Sequence, residues 1–315
     1  MPLSSEHAGH PSNAVGVARD HITIARADTL KFSELAGFLA RHMGKQVSGR
    51  DPNASYPGLG FVAKADGELI GIALFYFIPS TEPGEDLCYL TIFVDPLCRR
   101  CGVGRRLMDE VLDFAKQRDG KVAVVVNLPE ADAEAGALLL SRCGFAEIDS
   151  ELRYERNLVG VQPRAPDPSF SLHEYRGGDP LLDRGILDLH RRAYRSHPCV
   201  AKITDDLLAL RLANPDCNYE LMFTAGKLVG YASLWREKGG CYIDSLLIAQ
   251  RYWGSGASDN LVILLEGMAI KRGFTTAWAM CRSSNRPIIR LMDSHGFRSV
   301  QTTRRFCKRF CDAGA

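Results

Sequence analysis

One order of patterned segments occurs twice in this chain, about 152–154 residues apart by its aligned glycines, and this repetition constrains the fold more than any local motif. Each half opens with an alternating strand, HITIARA at 21–27 and FSLHEY at 170–175, and then turns helical. A hairpin follows in each, FVAKADGELIGIALFYF at 61–77 and MFTAGKLVGYASLW at 222–235, with turns at Asp66-Gly67 and Ala225-Gly226. Short β-rich runs come next, YLTIFV at 89–94 and IDSLLI at 243–248. Each leads through a Gly-rich turn into a helix whose apolar residues keep helical spacing: Leu107, Val111, Leu112 and Ala115, or Leu261, Leu264, Leu265 and Ala269. A further strand (122–126; 275–280), a helix ending in Gly-Phe (Gly144-Phe145; Gly296-Phe297) and closing strands complete both halves. So long a period is domain duplication, not a solenoid.

A length of 315 residues is itself enough for two cores. Three prolines in VQPRAPDPS at 161–169 remove backbone donors and disfavour helix, which places the linker there. The expected division is a flexible tail over 1–20, a first domain over 21–158, a linker over 159–169, a second domain over 170–311 and a short tail over 312–315.

With 39 basic and 37 acidic residues, the chain has no overall field for nucleic acid or an anionic membrane. Residues 1–16 (MPLSSEHAGHPSNAVG) lack the pattern of a secretory signal, and no run of eighteen apolar residues occurs, so a cytoplasmic protein is expected. The 10 cysteines then read as reduced thiols. Cys98 and Cys101 form a CxxC with no second pair at zinc-ligand spacing, so no metal is expected.

The segment VDPLCRRCGVGRRL at 94–107 joins a strand to a helix. A helix start presents unpaired N–H groups and the positive end of a dipole, and Gly102 and Gly104 would let a pyrophosphate reach the backbone. Arg99, Arg100, Arg105 and Arg106 add positive charge. The helix-end field contributes only about 0.3–1 kcal/mol per surface charge, so N–H donors and arginines must supply most of the affinity. The spacing fits neither the P-loop nor the dinucleotide fingerprint.

In this setting, Arg99-x-x-Gly102-x-Gly104 resembles the pyrophosphate signature [QR]xxGx[GA] of the GNAT acetyltransferase superfamily. The resemblance implies two tandem GNAT folds of α/β (α+β) class, each a mixed, mostly antiparallel twisted sheet flanked by helices, similar in architecture to mycothiol synthase-type tandem acetyltransferases. It implies acetyl-CoA or another acyl-CoA as co-substrate. Phe93 and Val94 would hold the pantetheine arm, and Arg99, Arg100, Cys101, Gly102, Val103, Gly104 and Arg105 the pyrophosphate. The second half repeats the scheme through Leu247 and Ile248 and then Trp253, Gly254, Ser255, Gly256, Ala257 and Ser258. Two registers are open there. Arg251-x-x-Gly254-x-Gly256 matches the bare pattern, whereas counting from strand and helix sets Trp253, Gly256 and Ser258 at the signature positions and is preferred.

A family asparagine after the fifth strand corresponds to Asn127 and Asn285; the eleven residues from Asn285 to Gly296 fit the family better. The tyrosine that commonly protonates the departing thiolate is missing from both halves, where Leu140 and Met292 stand. Amide formation needs a neutral amine, and an amine of pKa near 10.4 is deprotonated only about once in a thousand or more at pH 7. Asp244 is the strand carboxylate that could accept the proton, or it makes an ordinary hydrogen bond. His197 is the secondary candidate; Cys281, Ser283 and Ser284 read as lining residues. The expected acceptor is a small-molecule amine chosen by helices at 32–43 and 186–195, and the protein a monomer or homodimer. Acetylation of a protein lysine or N-terminus, and a non-catalytic CoA-binding regulator, are the alternatives.

Overall fold

The computed structural model describes residues 22–29, 31–43, 59–130, 133–195, 199–237 and 240–310. The expected tails at 1–20 and 312–315 lie outside these residues. The described residues form two compact units, one drawn from the ranges 1–76 and 90–117, the other from 77–89 and 118–315.

The smaller unit contains β1 (Ile22–Arg26), α1 (Phe32–Met43), β2 (Leu59–Ala65), most of β3 (Glu68–Pro79), the end of β4 (Glu85–Val94) and α2 (Val103–Lys116). Asp66 and Gly67 both have positive φ, which gives the β2–β3 hairpin the turn that follows strand twist. Helix α2 buries Val103, Leu107, Met108, Val111, Leu112 and Ala115 on one stripe. Gly71 on β3 is required by closeness: a Cβ there would meet Val103 at 2.9 Å and the Phe93 carbonyl oxygen at 3.2 Å.

The larger unit contains β5 (Lys121–Pro129), α3 (Ala133–Arg142), β6 (Ala146–Asn157), β7 (Phe170–Tyr175), α4 (Pro180–Tyr194), α5 (Asp205–Ala213), β8 (Cys217–Thr224), β9 (Lys227–Glu237), β10 (Gly240–Ile248), α6 (Ala257–Lys271), β11 (Thr276–Arg282), α7 (Arg286–Ser294) and β12 (Arg298–Phe310). Its strands run β5-β12-β6-β11-β10-β9-β8-β7. The pairings of β12 with β5 and β6, and of β6 with β11, are antiparallel. The last strand of each half therefore lies beside the fifth strand of the other. This exchange places the segment at 159–169 inside the larger unit.

Helix α4 starts at Pro180, six residues before the helix at 186–195 expected from the sequence. Asp179 accepts from the Leu181 and Leu182 N–H groups at 2.8 and 3.3 Å, and proline suits the first position. Helix α5 is an additional element, capped by Thr204, whose Oγ1 accepts from the Leu207 N–H at 3.2 Å.

Candidate active site

The two Gly-rich loops share one geometry. After β4, Arg99 donates from Nε to the Val94 carbonyl at 3.4 Å; after β10, the Trp253 indole donates from Nε1 to the Ile248 carbonyl at 3.1 Å. Arg100 and Gly102 have φ of 65° and 86°, and Gly254 and Gly256 have φ of 77° and 80°. These matches fix the register that aligns Trp253 with Arg99 and Gly256 with Gly102. Gly102 and Gly256 are the N-caps of α2 and α6, and neither has a side chain to occupy the helix donors. The first bonds back to the caps come from the N–H groups of Arg106 and Asn260, at 3.1 and 3.0 Å. The N–H groups of Val103, Gly104 and Arg105, and of Ala257, Ser258 and Asp259, thus belong to the donor-rich first turns.

Charge separates these two turns. The first carries Arg105 and Arg106 with no acid, whereas the second carries Asp259. Arg105 is tied along its helix to Asp109 at 2.9 Å. Arg99 and Arg100 are exposed; Cys101 is half-buried, with its thiol against the Arg99 carbonyl at 3.7 Å. Val103, Ala257 and Leu247 turn their side chains into the core, which leaves only their backbone groups for a ligand. Ser255 bonds the Tyr252 carbonyl at 2.7 Å.

The second half also opens a wedge in its sheet. Strands β10 and β11 pair in parallel from Gly240↔Thr276 to Ile243↔Ala279 and then part. Past that point β10 stays with β9 as far as Ile248, and β11 stays with β6 as far as Arg282. The register of β10 against β9 shifts between Ile243 and Ser245, so Asp244 is the extra residue of a bulge at the apex. An extended ligand can lie against the backbone edges that separate there.

Three hydrogen bonds converge on Asp244 Oδ2, from Arg211 Nη1 at 2.7 Å, Ser233 Oγ at 3.2 Å and Ser245 Oγ at 3.4 Å. Asp244 and Arg211 line a cavity of about 280 Å³ with Trp235, Arg236, Glu237 and Tyr242. Burial pushes the Tyr194 and Tyr219 phenols up to about 12, and the phenols of Tyr231 and Tyr242 upward as well. The Tyr219 hydroxyl feels the Arg211 charge without a hydrogen bond of ordinary geometry. His190 is pushed down to about 4 by burial and then by Arg211, against the pull of Asp244. These groups are neutral at pH 7, so the Arg211–Asp244 pair supplies the charge at the inner end of the cavity.

Other expected residues have structural partners. Asn285 caps α7 by accepting from the Ile288 N–H at 3.4 Å, and Asn127 accepts from Arg305 Nε on β12 at 3.3 Å. Ser283 and Ser284 donate to Asp149 at 2.8 and 2.6 Å. Leu140 and Met292 are buried. His197 lies outside the described residues. Arg211 escaped the sequence reading because it sits on α5; the Thr204 cap followed by Asp205 and Asp206 could have revealed that helix, but not its partner. Among the described residues no helix is long and apolar enough to cross a membrane, and no group of three metal-type side chains assembles.

The model of the acetyltransferase (GNAT) family matches residues 33–145 and 184–297. A mycothiol acetyltransferase of Clavibacter michiganensis subsp. michiganensis is 27% identical over 249 residues, covering 78% of either chain. The N-alpha-acetyltransferase RimI of Mycobacterium tuberculosis is 36% identical over 105 residues, 33% of this chain and 60% of that one. Among solved structures, a GCN5-related N-acetyltransferase from Sphaerobacter thermophilus shares the fold at a TM-score of 0.69 and 16% identity, covering 92% of this chain and 96% of that one. A tandem GNAT protein from the clavulanic acid biosynthesis pathway does so at 0.65 and 13%, covering 91% and 98%. With the family model matched once in each half, over most of its length, this chain belongs to the GNAT acetyltransferase family and is an N-acetyltransferase of two tandem GNAT folds.

Proposed function

We propose that this chain transfers the acetyl group of acetyl-CoA directly to the amine of a small molecule, and that the chemistry takes place in the second half. The observation that carries this reading is the coincidence at one point of the β10–β11 wedge, the Asp244 bulge and a cavity of about 280 Å³. The thioester arm lies along the wedge, and the acceptor reaches it from the cavity. The amine nitrogen attacks the acetyl carbonyl carbon, the new N–C bond replaces the C–S bond, and Asp244 takes the amine proton. The three bonds on Oδ2 hold the carboxylate still. Leu140 and Met292 have no proton to give, so the thiolate takes one from water or from another side chain. Backbone N–H groups of the first turn of α6 receive the pyrophosphate, assisted by the Ser258 hydroxyl. The loop before α2, with Gly102, Gly104 and its arginines, holds the stronger CoA site by charge.

A small acceptor is favoured because the cavity is near the lower limit of ligand pockets, roughly 300 Å³. The likeness to RimI over 105 residues supports a second reading, a protein N-terminus as acceptor. Incubation with acetyl-CoA and separate panels of small amines and N-terminal peptides decides between them. Thiol release with an N-acetylated small amine is expected; product from peptides alone supports the second reading, and no product from either panel rejects enzymatic transfer.

A further inference from the structure

The charges around the cavity occur in both signs and cancel: Arg211 and Arg236 against Asp244 and Glu237. The outer pair is partly engaged, since Glu237 accepts from the Trp278 indole at 2.9 Å and the Arg236 guanidinium lies 5.9 Å from the centre of the Phe274 ring. The inner pair differs. Arg211 and Asp244 meet at 2.7 Å with side chains still 22% and 21% exposed, so both remain within reach of a ligand. Arg211 makes that bond through Nη1, Ser233 and Ser245 donate to the same carboxylate oxygen, and the Tyr242 hydroxyl lies within hydrogen-bond reach of Asp244.

A ligand with a single positive group would satisfy Asp244 while competing with Arg211 for it. One with a single negative group would do the converse. A ligand with both replaces the pair's contact with two of its own, so neither charge is left unmatched. Trp235 and Tyr242 provide apolar walls for the rest of such a molecule.

We propose that the acceptor is an amine whose carbon also bears a carboxylate, an α-amino acid, with its nitrogen at Asp244 and its carboxylate on the Arg211 fork. This deepens the reading of the site as one for small amines and rests on it. Recognition of the carboxylate fixes the nitrogen relative to the thioester, because both groups sit on one carbon.

The test compares initial rates for matched acceptors, such as phenylalanine with phenethylamine and leucine with 3-methylbutylamine, each at pH 8 with saturating acetyl-CoA. The wild-type chain should favour each amino acid by at least about tenfold in kcat/KM, an order expected for one charge-assisted contact. Arg211→Gln should remove most of that preference, with the larger loss on the amino acid, and Arg211→Lys should retain part of it. Equal or better use of the plain amines by the wild-type chain overturns the proposal while leaving small-amine acetylation intact. A preference unchanged in Arg211→Gln overturns the role of Arg211. Failure of both acceptor sets, with turnover of other small amines, overturns the proposal alone; failure of every small amine overturns the reading beneath it as well. The wild-type comparison stands whether or not the variants fold.

Discussion

Buried Glu220, on β8, shows how single ionisable groups tune this fold. Its Oε1 accepts from Arg272 at 3.1 Å, yet burial outweighs that cation and pushes the carboxyl up to about 7. Its unfolded value is about 4.3, so between these limits the native chain holds more protons than the unfolded one. The stabilising effect of that proton is complete below about 4.3 and is lost as pH rises through about 7. His190 acts in the opposite sense: depressed to about 4, it favours the fold above its unfolded value of about 6.5, and that contribution is lost as pH falls through 4. Glu220→Gln should therefore flatten the decline between pH 5 and 7.5, by about 1–3 kcal/mol in relative stability. Urea midpoints across that range check this, and parallel pH curves for the two proteins would exclude it. Asp244 was legible as the one charged residue in an apolar strand, YIDSLLI. Its partner Arg211 was not, because 33 residues separate them and only tertiary folding brings α5 to β10.

At the scale of elements, local physics left strong marks. Positive φ at Asp66, Gly67, Ala225 and Gly226 matches the hairpin turns read from the sequence, and the apolar stripe of α2 faces its core as the spacing predicts. Trp253 in place of arginine took the correct register of the second loop out of the bare signature, which matches two residues earlier at Arg251, although the Trp253 N–H performs the same closure as Arg99. The loops differ in charge, and this sets an expectation for binding. The first turn of α2 carries arginines, whereas that of α6 carries Asp259. Gly104→Val places a branched Cβ among the α2 donors and should remove the tighter of two acetyl-CoA binding events in calorimetry, by at least about tenfold in affinity. Unchanged affinity and stoichiometry in a variant with native circular dichroism would exclude that loop as the dominant site.

Over the whole molecule, duplication was readable from the repeated order of elements, but the exchange of final strands was not. Alternation identifies β6 and β12 as strands without naming their neighbours, and those pairings join residues such as Phe306 and Val126, or Trp278 and Glu155, that lie far apart in sequence. Two similar folds need not perform two reactions. The first half has Leu90 buried on its fourth strand, while the second has Asp244 beside its cavity. Acyl transfer at the second half is thus the central claim, and Asp244→Asn tests it most directly, since the amide keeps the size of the carboxylate but accepts no proton from the amine. With saturating acetyl-CoA and a productive amine, turnover at pH 7 should fall by about a hundredfold or more, recover in part at higher pH as free amine increases, and leave acetyl-CoA binding in place. Wild-type turnover across the same pH range would contradict the account and return the search for the reacting centre to the first half, around Tyr89, Thr91 and Asn127.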